Sequence, residues 1–264
     1  MSPPPSAAPP ALPDHPLLAG AVLRPSGEGA VVVEWGDRID ETAQARALAL
    51  ADALAALAPP GLVEALPTYR STLVEFDPAR TDLAALVGML PPETGRTSGR
   101  VAPTATWHVP VCLEGAAAED LDEAATELGL TPDDVRTRIV GSPLRVGMYG
   151  FVPGFAYLHG LDPRLDLPRR AAPRPPIPPG AFIIAVGQAG IVPVSMPTGW
   201  YVVGRSAARM FDASRVEEGR PPVPFAIGDG LRVEAVDEAA LLRLAGDPEG
   251  GIRRVEDGAG RVGA

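Results

Sequence analysis

The chain contains no lysine and no asparagine; all 23 of its basic residues are arginine. The missing lysine excludes whole classes of chemistry. A phosphate-binding loop needs its lysine, a Schiff-base enzyme needs a lysine amine, and a Ser–Ser–Lys amidase needs one as a base, so none of these is complete here. The chain therefore cannot hydrolyse ATP in the P-loop manner. Cysteine is nearly as scarce. Cys112 stands alone in Val109-Pro110-Val111-Cys112-Leu113, which rules out an internal disulfide and reads as a core or strand position. His15, His108 and His159 fall into no metal-ligand spacing, and neither HExxH nor CxxC occurs. There is no GxSxG elbow either, and Ser142 in Gly-Ser-Pro reads as a turn or cap residue. Asp52, Pro59, Pro60 and Glu64 interrupt the most Ala/Leu-rich stretch before it reaches the length of a membrane span. Met1-Ser2-Pro3-Pro4-Pro5 lacks the basic start and apolar run of a signal peptide, so a cytoplasmic location is expected. A formal charge of -10 argues against nucleic acid or an anionic membrane as partner. Small molecules and other proteins remain.

What is present is enough apolar material for two modest domains: 46% of the 264 residues are hydrophobic, and a chain of this size buries roughly 70–75% of its unfolded surface. Residues 1–19, rich in Pro and Ala, read as a disordered tail. Over 20–95, an apolar strand ends at Trp35. Asp40 then caps a helix through Leu57, with Leu50, Leu54 and Leu57 on one face. Pro59-Pro60-Gly61 stops it. Strands at Leu62 to Leu66 and Ser71 to Phe76 and a helix near Asp82 to Met89 complete a β-α-β-β-α order, a small α+β domain of ferredoxin-like flavour. Residues 96–106 read as a linker. Over 107–240, a strand to Cys112, a helix near Ala118 to Leu128 and a helix capped by Thr131 precede short apolar runs divided by Gly/Pro turns. That pattern predicts a mainly β, closed or nearly closed barrel. Residues 241–264 read as a C-terminal tail.

Chemistry concentrates in three stretches. Tyr149 to Gly160 holds four of the chain's 13 aromatic residues within nine positions. Gly150 and Gly154 permit unusual backbone angles and Pro153 stiffens the loop between them, so Phe151, Phe155 and Tyr157 are candidates to grip a ligand or partner. Filling the barrel's mouth is the plainer use of the same rings. Next come Arg164, Arg169, Arg170 and Arg174, four guanidinium groups in 11 positions on an otherwise acidic chain. Such forks suit a carboxylate, an acyl phosphate or an acidic partner surface, and pairing with Asp162 and Asp166 is the alternative. Third, the Gln188 amide and the backbone around Gly199 and Trp200 offer hydrogen bonds.

In this order the segments resemble the family that comprises the B subunit of 5-oxoprolinase, KipI and allophanate hydrolase subunit 1. The resemblance is carried by Gly150-Phe151-x-Pro-Gly-Phe155-x-Tyr157-Leu158-x-Gly160-Leu161-Asp162-Pro163-Arg164-Leu165, Pro168-Arg169-Arg170-x-x-Pro173-Arg174, Gly187-Gln188-x-Gly190-Ile191-x-Pro193, Pro197-x-Gly199-Trp200 and Gly204-Arg205. Trp35-Gly36-Asp37, Pro67-x-Tyr69-Arg70 and His108-Val109-Pro110-Val111 fit upstream. The resemblance implies an α+β N-terminal domain followed by a mainly β, cyclophilin-like barrel. It implies two partners, a sister cyclophilin-like subunit (C type) and a third, catalytic one (A type), which together with this chain open 5-oxoproline to glutamate at the expense of ATP. A KipI-like member instead binds and inhibits a sensor histidine kinase. Gln188, Arg169, Arg170, Arg174 and Arg205 would then orient an anionic amide or its phosphorylated intermediate, and the aromatic loop with Trp200 would close the pocket. Val140, Ala189, Val192, Met196 and Thr198 depart from the family's usual residues and remove polar groups from that pocket.

Overall fold

A computed structural model describes residues 14–92, 105–172 and 174–255. It divides into two compact units, one on each side of the Ala102/Pro103 bond. The α+β unit followed by a mainly β barrel is the architecture expected from the sequence.

In the first unit, β1 (Ala21–Pro25) and β2 (Ala30–Trp35) form an antiparallel hairpin, with Ala21 opposite Trp35. After them come α1 (Glu41–Leu57), β3 (Leu62–Pro67), β4 (Ser71–Phe76) and α2 (Leu83–Gly88), and the sheet order is β1-β2-β4-β3. The unit thus gains a strand over the expected order and begins on a hairpin rather than on a strand-helix crossover. The cause is local: Ser26, Gly27 and Gly29 break one apolar run into two strands. Asp40 caps α1 as expected, its carboxylate accepting from Thr42 and Ala43 N–H at 2.7 and 3.0 Å. Leu50 and Leu54 are fully buried, but Leu57 is 42% exposed, because the buried stripe ends one turn before the left-handed residue Ala58 (φ 45°) terminates the helix. Leu17 and Leu18, which fall in the expected tail, instead pack into this unit's core. Residues 1–13 of that tail and most of the linker lie outside the described residues.

The second unit opens on β5 (Thr106–Cys112), followed by α3 (Leu121–Leu128) and α4 (Pro132–Gly141). Thr131 caps α4, its hydroxyl and the Asp134 carboxylate serving each other's backbone N–H. Then come β6 (Leu144–Tyr149), β7 (Ala156–His159), β8 (Arg174–Ile177), β9 (Ala181–Ala185), β10 (Gln188–Ile191), β11 (Met196–Thr198), β12 (Tyr201–Arg205), α5 (Ser214–Glu217), β13 (Gly230–Val236), α6 (Glu238–Leu244) and β14 (Arg253–Arg254). Seven strands run β12-β9-β10-β7-β6-β13-β5, and Arg205 opposite Cys112 closes the ring between β12 and β5. The stretch expected as a tail carries the second half of α6, which is capped by Asp237, and β14, which pairs with β5 at Trp107 and His108. An unpaired strand edge recruits it.

Alternation along the barrel strands sorts their side chains into two cores. Val109, Leu144, Leu158, Phe182, Ala189, Val203 and Val233, one from each barrel strand, belong to the larger cluster and fill the interior. Ile183, Ala185 and Val202, on the opposite faces, belong to a smaller cluster with Phe155, Met196 and Trp200. A separate two-stranded ribbon, β8 with β11, contributes Ile177 and Met196 to that second cluster. β9 is therefore buried on both faces, and its outer face is the floor of the site described next.

Candidate functional site

The aromatic loop is the connection from β6 to β7. Gly150 N–H donates to the Phe155 carbonyl at 3.2 Å, closing it, and Tyr149 pairs with Ala156 at its base. Two residues take left-handed backbone angles there. Gly154 (φ 82°) does so freely, but any Cβ on it would lie 2.7 Å from the Met210 carbonyl oxygen and 2.6 Å from Phe211 Cβ. Phe151 (φ 70°) does so against the preference of a bulky side chain, and 71% of it is exposed.

Phe155, by contrast, is buried and central. Its ring meets Tyr157 edge-on at 4.7 Å, Trp200 at 6.3 Å and Phe151 at 6.4 Å, while Tyr157 and Trp200 stand 6.1 Å apart. Such perpendicular packing favours a fixed arrangement of rings. Gly190 on β10 makes room for it, since a Cβ there would come within 2.7 Å of Phe155 Cζ. The rings border a cavity of about 260 Å³ completed by Ile183, Met196, Thr198, Arg169 and Arg170. Thr198 holds its rim by accepting the Trp200 N–H at 3.0 Å.

Of the candidate arginines, Arg170 and Arg174 lie against acids. Arg174 pairs with Asp120 and with Glu119 at 3.0 Å; Arg170 reaches Glu123 at 2.7 Å and Asp120 at 3.6 Å, and its guanidinium lies 5.0 Å over the Tyr201 ring. Asp120 is the hub. It is 5% exposed, gives its N–H to the Val202 carbonyl and accepts the Val202 N–H at 2.7 Å, so it joins α3 to β12 as well as to both arginines. At the start of a helix an aspartate reads as a cap, and nothing in the sequence distinguishes this one. Arg169 is exposed at the cavity's edge and has no ion-pair partner among the described residues. Asp162 takes Arg138 at 2.8 Å and the Arg164 N–H; that hydrogen bond first, then the one from Arg138, hold its carboxyl below the ordinary range.

The other candidates lie apart from this cavity. Gln188 opens β10 opposite Ala185. Arg205 ends β12 and borders a second cavity of about 410 Å³ with Val192, Met210, Leu241 and Leu242. Tyr149, the first ring of the cluster, points elsewhere: its hydroxyl donates to the Phe225 carbonyl at 2.9 Å, and burial raises its pKa well above the ordinary value. Ser142 behaves as a cap, its hydroxyl donating to the Arg138 carbonyl at 2.7 Å. Of the departures from the family pattern, Met196 and Thr198 line the aromatic cavity, Ala189 and Val192 are buried in the two cores, and Val140 is exposed. Trp35, Gly36 and Asp37 border a cavity of about 370 Å³ in the first unit, with Arg38 and Arg46.

Comparison with known proteins decides the family. Residues 21–220 match the model of the carboxyltransferase domain, subdomain C and D. The chain belongs to this family. Within it, the 5-oxoprolinase B subunit of Bacillus subtilis (strain 168) is 30% identical over 223 residues, covering 80% of this chain and 91% of the relative. The same-named protein of Escherichia coli O157:H7 is 32% identical over 208 residues, covering 78% and 92%. The crystal structure of TTHA0988 is 34% identical with a TM-score of 0.68, covering 82% of this chain but only 40% of that one. This chain thus spans about two-fifths of the length of that solved relative and nearly the whole of the two 5-oxoprolinase proteins. Among the described residues, no helix of this family member is long and apolar enough to cross a membrane.

Proposed function

We propose that this chain is the B-type subunit of an ATP-dependent 5-oxoprolinase complex, opening 5-oxoproline to glutamate together with two partners, a sister cyclophilin-like subunit of C type and a third, catalytic one of A type. The observation that carries the reading is the pair of relatives named as B subunits of 5-oxoprolinase, each matched over nine-tenths of its length. The site's chemistry agrees with a partner-dependent role. Its cavity has rings and guanidinium groups but neither a lysine nor a general acid–base pair among the residues that line it. Its charges do not suit a triphosphate either, because Arg170 and Arg174 are already engaged by three carboxylates. The aromatic cavity belongs on this reading to the organic substrate, and ATP is spent through one of the partners.

Reconstitution tests it. With all three proteins present, ATP-dependent glutamate release from 5-oxoproline is expected, falling to background when this chain is omitted, while the isolated chain shows no ATPase. Full activity without this chain, or ATPase from the pure chain, would overturn the reading. Recovery of a histidine kinase instead of a sister cyclophilin-like protein in a pull-down would put the KipI-like inhibitor in its place.

A further inference from the structure

The aromatic cavity and the groups around it have a charge balance that selects its ligand. Arg169, Arg170 and Arg174 supply three positive charges; Asp120, Glu119 and Glu123 supply three negative ones. All three carboxylates are committed to Arg170 and Arg174, so these six groups sum to zero while one guanidinium, that of Arg169, keeps its hydrogen-bonding fork unused by acids among the described residues. A neutral site with one free fork is complementary to a single carboxylate and has nothing with which to compensate the second charge of a phosphate. Beside that fork stand Trp200 and Tyr157 at 67° to one another, with Phe155 packed edge-on against Tyr157, so much of the cavity wall offered to the body of a ligand is aromatic.

We infer that Arg169 is the specificity-determining residue of this cavity, and that the cavity takes a small, ring-bearing monocarboxylate and rejects phosphorylated species. This deepens the function proposed above and rests on it for the choice of probe. It also has a consequence for the division of labour: a phosphorylated intermediate has to be held by a partner, and this chain meets the substrate before phosphorylation.

The experiment measures binding to the isolated full chain by saturation-transfer NMR, with 5-oxoproline, with 2-pyrrolidinone, which is the same ring without its carboxylate, and with inorganic phosphate as competitor. Saturable binding of 5-oxoproline is expected in the millimolar range or tighter. Loss of its carboxylate should weaken binding about tenfold, the worth of one charged hydrogen-bond pair, and phosphate should not compete. In Arg169→Gln the two rings should bind alike, with the thermal melt unchanged because Arg169 is exposed and holds no ion-pair partner among the described residues. Absence of saturable 5-oxoproline binding, competition by phosphate, or preserved discrimination in Arg169→Gln would each overturn the inference. Its failure is separable from failure of the proposed function: a reconstituted complex that needs this chain while the isolated chain binds no 5-oxoproline refutes only the inference, and binding by a chain the complex does not need refutes only the function.

Discussion

Two cavities of the barrel unit each present an arginine that no acid engages among the described residues, and they differ in everything else. Arg169 stands at the edge of a box of four rings, beside two further arginines whose charge is taken up by Asp120, Glu119 and Glu123. Arg205 stands against Val192, Met210, Leu241, Leu242 and Ala245, aliphatic groups from the segments after β10 and β12 and from α6 and its end. The first cavity is framed by perpendicular ring packing and by the Asp120 network; the second is lined partly by Leu242, which is 75% exposed. The family resemblance groups Arg205 with the aromatic loop, and the barrel separates them because they leave it on different strands. A guanidinium reads a ligand only where its charge is left available.

The strongest way to break this contrast is to remove the hub. Asp120→Ala leaves the buried Val202 N–H without its acceptor and takes from Arg174 its closest carboxylate. The expected loss is about 3–5 kcal/mol, measured by urea unfolding, with the aromatic cavity losing ligand binding and the Arg205 cavity unaffected in structure. A loss below ~1 kcal/mol would mean that Glu119 and Glu123 hold the arginines by themselves. Gly154→Ala probes the strip between the cavities. Its Cβ would press on the carbonyl of Met210, which lines the second cavity, while the strained φ of 82° falls on the loop of the first. About 2 kcal/mol of destabilisation is expected, with both regions showing increased hydrogen exchange.

The sequence made the periodic parts legible and the convergent parts not. α1 with its Asp40 cap, β4, β6 and the Thr131 cap of α4 are where alternation, 3.6-residue periodicity and capping chemistry place them. β1 merges with β2 into one apolar run, and β7 was hidden because Gly and Pro nearby read as loop, although Ala156 to His159 is a barrel strand with Tyr157 on its outer face. α6 and β14 were hidden because a two-residue strand has no period at all and acquires its conformation from the edge of β5. In the site, the rings and Arg169 could be anticipated from their crowding along the chain. Asp120 could not, since it lies 50 residues from Arg170 and 82 from Val202, and only the fold brings those three together.

The smallest expected effect concerns the other side of the comparison. Arg205 Nε is buried without a hydrogen-bond partner among the described residues, and no carboxylate engages its guanidinium there. A half-buried cation in an aliphatic cavity loses hydration without compensation, so Arg205→Met, which keeps most of the length of the stem and its packing, should stabilise the isolated chain by about 1 kcal/mol. In a chain of this size that is a rise in melting temperature of roughly 2–4 °C, readable in a thermal melt. No such rise is expected for Arg169→Gln, whose guanidinium is already in water and has no burial cost to recover. A fall in the melting temperature of Arg205→Met would mean that its remaining nitrogens stay hydrated well enough to offset the buried Nε, and the two arginines would then differ in their neighbours but not in their energetics.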